Sequence, residues 1–233
     1  AHAGTADTRV FCEVTQLGKE LEKIGSRVMG SENHAKVGII FDWENYWALE
    51  YTSGPNRDLR YVDQIEQMYN YFYNKNIAVD MIPIDADFSK YDLVAAPVLY
   101  MVKDGVAESL EAYVQAGGTL ITTYMSGIVG QSDNVHLGGY PGPLRKMAGV
   151  WVEEIDALAP EQRNKIRFAD GTEEECRLVC DLMHLEGAEE IAQYENDFYA
   201  GMTAVAKNQF GKGTVYYVGT DLSESGLAKV LAM

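Results

Sequence analysis

The sequence predicts an α/β fold in which a mostly parallel sheet is covered by helices and is extended by further strands in the C-terminal half. Two observations support this prediction. In the first 125 residues, apolar runs that can be buried on both faces alternate with stretches of helical periodicity. Short segments bounded by glycine and proline follow them. Four alternations joined by short loops favour parallel strands connected by helical crossovers.

The first predicted element is an amphipathic helix over 11–28, because apolar residues recur there every three or four positions and Gly30 stands where the helix would end. A buried strand follows at 36–42, where the residues are almost continuously apolar. The same periodicities predict the remaining elements of the first half, which are helices at 61–76 and 106–118 and strands at 77–84, 92–102 and 119–124.

The composition of the sequence changes after residue 125, where glycine and proline cluster. A hairpin that turns at 211–213 is predicted within 202–220, and a short helix ends the chain. We expect one domain over 1–233, with an N-terminal linker and helix in 1–30. Alternating residues predict further, antiparallel strands at 150–158, 164–169, 176–183 and 189–195.

Composition limits the partners. The 233 residues include 35 acidic and 19 basic side chains, which give a formal charge of −16. Such a charge repels the phosphates of nucleic acid and anionic membrane surfaces, so neither is expected as a partner. The apolar runs are shorter than the roughly 20 residues of a bilayer helix. Three cysteines are an odd number and suggest no disulfide framework, which favours a cytoplasmic location.

The segment FDWENYWALE at 41–50 is the first candidate site. It sets Asp42 and Glu44 among Trp43, Tyr46 and Trp47, directly after a predicted strand, and ligands bind at the carboxyl ends of such strands. Paired carboxylates suit glycoside hydrolysis, and aromatic faces suit a sugar or a protein contact. Helix capping by Asp42, with ion pairs formed by the glutamates, is the simpler interpretation and the one we favour.

Other chemical patterns are weaker. Ser126 follows a strand as a hydrolase nucleophile would, with His136 as a base, but the glycine two residues earlier is missing. The stretch LGGYPGP has neither the dinucleotide nor the phosphate-loop spacing. A second group of carboxylates, another possible acid and base pair, lies in VWVEEIDAL at Glu153, Glu154 and Asp156.

Cys176, Cys180 and His184 are spaced four apart, as metal ligands on one helix face would be. Polar and apolar residues alternate around them, so a half-buried strand is the better interpretation. In a regular strand the two sulfurs would stand roughly 13 Å apart. We therefore predict buried structural cysteines and no metal site.

Several long segments together resemble a known family, the middle, trimerisation domain of the glycoside hydrolase family 42 β-galactosidases. The resemblance covers nearly the whole chain. It implies a flavodoxin-like, class I glutamine-amidotransferase-like three-layer fold that lacks the catalytic cysteine of that fold. The segments that carry it are TRVFCEVTQLGKEL, FDWENYWALE, DLVAAPVLYMV, GGTLITTYMSGIV, LGGYPGPLRKMAGVWVEEIDAL and NDFYAGMTAVAKNQFGKGTVYYVGT.

The resemblance also implies a function. In the family, the catalytic glutamates belong to a TIM barrel, which this chain does not contain, so no catalytic, cofactor or metal residue is expected here. The expected role is to assemble a homotrimer that acts on terminal β-galactosides and to support the barrel of the same polypeptide. Interface candidates are Trp43, Glu44, Tyr46, Trp47 and Arg145.

The chain departs from the family pattern at two places, where Cys12 replaces a common arginine and Gly130-Gln131 replaces an acidic pair. Contacts made by those charges would differ here. Two alternatives remain open from the residues: a free-standing amidotransferase-like or hydrolytic enzyme, and a carbohydrate-binding module.

Overall fold

A computed structural model of the protein describes residues 4–52 and 54–233. The chain divides into two compact units, Ala1–His34 and Ala35–Met233. In the described residues, no helix combines the length and the apolar character needed to cross a membrane.

The described part of the first unit contains one long helix, α1 (Arg9–Val28), close to the predicted 11–28. The Thr8 hydroxyl caps its first turn by accepting a hydrogen bond from the Phe11 amide, and Gly30 follows the helix at a φ of +80°. Within this unit α1 buries none of its residues. About half of each side chain in its apolar stripe is exposed, at Val10, Phe11, Val14, Leu17, Leu21, Ile24 and Val28.

The second unit is built on one sheet of eleven strands among the described residues. In chain order they are β1 (Val37–Ile40), β2 (Val79–Ile82), β3 (Leu93–Ala96), β4 (Thr119–Thr123), β5 (Val150–Ala157), β6 (Asn164–Phe168), β7 (Glu173–Leu185), β8 (Glu189–Tyr194), β9 (Thr203–Phe210), β10 (Gly213–Val218) and β11 (Thr220–Leu222). The helices of this unit are α2 (Trp43–Tyr51), α3 (Tyr61–Asn74), α4 (Val106–Ala116), α5 (Arg145–Ala148) and α6 (Glu224–Leu231).

Five of the strands pair in parallel, in the order β2-β1-β3-β4-β10. All four residues of β1 are buried, as its continuous apolar run predicts. The predicted first-half strands and helices therefore lie where the sequence places them, although α2 was not among the predicted elements and the strand predicted over 92–102 ends at Ala96.

The predicted fold class, a mostly parallel, flavodoxin-like three-layer sheet, is wrong. Among the described residues, four strand pairings are parallel and seven are antiparallel, which makes the unit β-rich and its sheet mixed. The physical reason is the β9–β10 hairpin, which turns at Gly211 and sets an antiparallel strand beside the parallel block. The later strands extend the same sheet from β9, so the amidotransferase-like description fails with the flavodoxin-like one.

Four of the later strands close a circuit of pairings, β6–β7–β9–β8–β6. Residues from these strands, among them Tyr194 of β8, fill part of a large hydrophobic core that also includes Tyr199. The hydroxyl of Tyr194 donates to the Gly219 carbonyl at 3.0 Å, so the polar end of this fully buried ring is satisfied.

The strand around the two later cysteines is irregular. Cys176 and Cys180 are buried, as predicted, but the expected alternation fails because every residue from Val179 to Met183 is buried. Between Arg177 and Cys180, β7 bulges relative to β11, and Leu178 has a φ of +65°. The separation of roughly 13 Å, which assumed a regular strand, is therefore too long.

Candidate functional site

Helix α2 starts at the carboxyl end of β1, and two ion pairs fix that start. The Asp42 carboxylate accepts a hydrogen bond from the Asn45 amide at 3.0 Å, which is the predicted cap. Its other oxygen lies 2.8 Å from Lys103 Nζ, which also pairs with Glu44. One ammonium thus pairs with both carboxylates, an arrangement that suits a structural role better than general acid and base chemistry.

Asn45 ties α2 to the turn that follows β3. Its side chain is fully buried, donates to the Val98 carbonyl at 3.0 Å and accepts from the Met101 amide at 2.8 Å. Val98 has a φ of +46°, which is unfavourable for a branched residue, and its amide donates to the Thr123 hydroxyl at 2.8 Å. This turn ends the strand predicted over 92–102, and the bonds that stabilise it also fix α2.

We define the aromatic surface as Trp43, Tyr46 and Trp47, supported by Phe41 and Tyr61. The Trp43 and Trp47 rings are 6.2 Å apart, and Trp43 packs edge-on against Phe41 at 5.0 Å. Tyr46 stacks on the buried Tyr61 at 6.2 Å. The two tryptophans nevertheless remain 59% and 51% exposed. The predicted residues Trp43, Glu44, Tyr46 and Trp47 therefore do lie together.

A cavity of about 650 Å³ adjoins the aromatic surface, and Tyr46 and Tyr61 line it together with Glu50, Arg60 and Met125. A hydrogen bond to Glu50 raises the pKa of Tyr46. Burial raises the pKa of Tyr61 to about 12, and its hydroxyl donates to the Ile40 carbonyl at 3.3 Å. Both phenols are neutral at physiological pH, so this side of the surface presents hydrogen-bonding groups without added charge.

Arg145 belongs to a different cluster. Its guanidinium forms a two-point ion pair with Glu186, at 2.6 and 2.5 Å, and donates to the Gly138 carbonyl at 2.7 Å. It also lies 5.4 Å from the ring centre of Trp151, which stacks on His184 at 4.9 Å. The sequence named Arg145 as a separate interface candidate, and the structure gives it partners in β5 and in the residue that follows β7.

The other sequence candidates do not form catalytic arrangements. Ser126 is fully buried, and its hydroxyl accepts hydrogen bonds from Leu99 N at 3.0 Å and Thr122 Oγ1 at 2.9 Å. Glu153 pairs with His184 at 2.7 Å, whereas Asp156 accepts from the Tyr199 hydroxyl at 2.7 Å. Ser126, Glu153 and Asp156 thus have structural partners.

The described residues hold no group of three or more histidine, cysteine, aspartate or glutamate side chains that could bind a metal ion. Cys176 and Cys180 lie in the core, and His184 lies on the surface against Glu153. The Cys and His spacing noted in the sequence therefore does not bring its three members to one point.

Comparison with known proteins gives a family match over most of the chain. The family model described as the β-galactosidase trimerisation domain matches residues 35–233. β-Galactosidase LacZ of Lactobacillus acidophilus is 50% identical over 230 residues, which are 99% of this chain and 34% of that protein. The chain thus spans about a third of the length of the curated relatives it matches.

Solved structures give the same result. The crystal structure of β-galactosidase from Bacillus circulans sp. alkalophilus superposes with a TM-score of 0.88 at 44% identity, covering 99% of this chain and 35% of that one. Gan42B, a GH42 β-galactosidase from G. stearothermophilus, gives 0.86 at 38% identity, covering 99% of this chain and 34% of that one. The chain therefore belongs to the trimerisation-domain family of the glycoside hydrolase family 42 β-galactosidases.

Proposed function

We propose that this chain is the non-catalytic assembly part of a cytoplasmic β-galactosidase that hydrolyses terminal β-galactosides, and that it forms a homotrimer. The aromatic surface on α2 supplies part of the subunit contact. The observation that carries the proposal is that two tryptophans are more than half exposed although the helix that bears them is held by buried polar bonds.

Rigid exposed aromatic side chains are the groups that contribute most to protein association. Tryptophan and tyrosine dominate interface hot spots, and burying them in a contact recovers a large apolar area. The loss of side-chain freedom on association is small here, because Trp43 already packs against Phe41 and Trp47. Glu44, fixed by Lys103, places a carboxylate at the same edge.

The Arg145 cluster is a second candidate contact of the same assembly. Arg145 is paired with Glu186 and lies over Trp151, so its charge is already compensated before any contact forms. Such a pair adds orientation to an interface more than it adds affinity. We assign it a supporting role beside the aromatic surface.

The second proposed partner is the catalytic TIM barrel of the same polypeptide. Two observations support it: the curated relatives are about three times as long as this chain, and the family match begins at residue 35, after α1. The apolar stripe of α1 is the face that we assign to the barrel, because an amphipathic helix needs a partner to bury that face. Three unbridged cysteines fit a reducing compartment.

Size-exclusion chromatography with light scattering tests the assembly. Three copies of the 25.9 kDa chain give about 78 kDa, which is the expected mass at micromolar concentration. The double variant Trp43→Ala/Trp47→Ala is expected to elute as a monomer with an unchanged circular dichroism spectrum. Phe198→Ala is the matched control, because Phe198 is also an exposed aromatic residue, at 73%, and lies outside α2. A monomeric parent chain, or a double variant that stays trimeric, would contradict the proposal.

A further inference from the structure

The bulge in β7 brings two buried cysteines close together. Cys176 pairs with Leu222 and Cys180 with Thr220, so four residue steps of β7 lie opposite only two steps of β11. Two steps of a strand span about 6.6 Å, against about 13 Å for four. This register puts the two Cα atoms about 6.6 Å apart, near the upper end of the range of about 4.4–6.8 Å found in disulfides.

The side chains of this pair point into the same core. Both cysteines are buried members of one hydrophobic cluster, and Cys180 Sγ lies 3.8 Å from Thr220 Oγ1. The two thiols interact: the neighbouring Cys180 raises the pKa of Cys176, whereas the pKa of Cys180 is lowered by Cys176. Both cysteines are free thiols in the described structure.

Cys176 also has a route to small solutes. It lines a cavity of about 370 Å³ that is bordered by Gln64, Arg177 and Ser223. A cavity of that size admits several water molecules, and hydrogen peroxide is only slightly larger than water. Cys180 is not among the residues that line this cavity.

We propose that Cys176 and Cys180 form a reversible intrachain disulfide when hydrogen peroxide is the oxidant. Once one proton has left the pair and the remaining proton lies on Cys180, the Cys176 thiolate attacks one peroxide oxygen, the O–O bond breaks, and the departing hydroxide takes up the released proton as water. The Cys180 sulfur then displaces the hydroxyl of the sulfenic acid, an S–S bond replaces the S–O bond, and the Cys180 proton leaves in a second water. Two thiols are oxidised and one peroxide is reduced to two waters.

The disulfide would close a ring of five residues around the bulge. Arg177 inside that ring pairs with Asp221 at 2.7 Å, and the Leu178 carbonyl accepts a hydrogen bond from Asn56 Nδ2 at 2.8 Å. Asn56 lies between α2 and α3 and lines the cavity beside the aromatic surface. Asn56 therefore contacts both the bulge that carries the cysteine pair and the cavity beside the proposed assembly surface.

The disulfide can be detected by peptide mapping, because trypsin cleaves after Arg177, between the two cysteines. A Cys12→Ser chain is treated with hydrogen peroxide under native conditions, quenched with catalase, denatured in an alkylating agent and digested without reduction. The expected product joins peptides 168–177 and 178–207 with the loss of two hydrogens, and it separates on reduction.

A Cys180→Ala variant, in the same background, is expected to leave Cys176 as a sulfenic acid that dimedone traps, with the two peptides separate. The main assay keeps both cysteines and so does not depend on the folding of that variant. Two outcomes would overturn the proposal. One is recovery of both peptides unlinked, either alkylated or over-oxidised, from the native chain. The other is a link that forms only in urea.

Discussion

The region around α2 and the interior around β7 and β11 differ in how well their buried polar groups are hydrogen-bonded. At α2, the buried groups Asp42 and Asn45 are hydrogen-bonded, while two tryptophans are left in solvent. At β7 and β11, one carboxylate oxygen of Asp181 and one of Asp221 are buried without a hydrogen-bond partner in the described structure. At α2, buried hydrogen bonds hold a helix whose tryptophans face solvent. Around β7, in contrast, the buried carboxylates lack full hydrogen bonding, so burial raises their pKa values.

Asp181 is the clearest case in the interior. It is fully buried, and loss of hydration raises its pKa to about 7, although the Tyr217 hydroxyl donates to Oδ2 at 2.7 Å. Asp221 also has a raised pKa through burial, opposed by its ion pair with Arg177. Burial raises the pKa of Tyr124, whose hydroxyl has no partner in the described structure, well above its usual value.

The largest expected effect comes from Asn45→Ala, which tests how firmly α2 is held. The change removes two buried hydrogen bonds and leaves the Val98 carbonyl and the Met101 amide without their partner. Each such loss is worth roughly 1–3 kcal/mol, so we expect the free energy of unfolding to fall by about 4 kcal/mol. Urea unfolding followed by circular dichroism measures it.

Asn74→Ala is the matched control for that substitution, because Asn74 is exposed in the last turn of α3. We expect it to change the free energy of unfolding by less than about 0.5 kcal/mol. Equal effects for the two asparagines would show that α2 is not held by Asn45, and the contrast between the two regions would lose its first half.

The second prediction tests the interior through pH. Because the folded-state pKa of Asp181 is about 7 and the usual value is 3.8, the folded state favours the protonated carboxyl. Its stabilising contribution is complete below pH 3.8 and is lost as pH rises towards 7. Relative to Asp181→Asn, the parent chain should lose about 2 kcal/mol of unfolding free energy between pH 5 and 7.

Asparagine at position 181 keeps the shape of the side chain and an acceptor for the Tyr217 hydroxyl, but it does not titrate. The difference in unfolding free energy between the two proteins therefore reports the titration of the Asp181 carboxyl alone. Urea unfolding of both proteins at four pH values between 5 and 7 supplies the curve. A difference that stays constant over this range would mean that Asp181 is charged, or hydrated, throughout.

The sequence predicted the local elements better than the way they assemble. The runs behind β1 and β4 and the periodicity behind α3 are local properties, so their positions were predictable. The antiparallel extension was expected only as an addition to a parallel sheet, because pairing between distant strands leaves little trace in local periodicity. The bulge at Leu178 was missed, since a leucine at positive φ has no sequence signal.

The candidate site shows the same limit. The grouping of Trp43, Tyr46 and Trp47 follows from helical spacing, and Asp42 is a recognisable cap. The partners that hold them, Lys103 and the turn at Val98, lie more than fifty residues away in the chain. Arg145 was named as a further interface candidate from the resemblance, and its partner Trp151 was overlooked because it is one apolar residue in an alternating strand.

The smallest expected effect is the difference in unfolding free energy between breaking the partly buried Lys103–Asp42 pair and breaking the exposed Lys36–Asp92 pair. Lys103→Met leaves the Asp42 carboxylate, whose side chain is 11% exposed, without its cation, and we expect a loss of about 1–2 kcal/mol in unfolding free energy. Lys36→Met breaks the exposed pair with Asp92, 3.7 Å apart, and should change the same quantity by less than about 0.5 kcal/mol. Because exposed pairs are also screened, 1 M salt should reduce only the smaller effect. Equal losses in urea unfolding would place Asp42 in solvent, and the start of α2 would then be set by Asn45 alone.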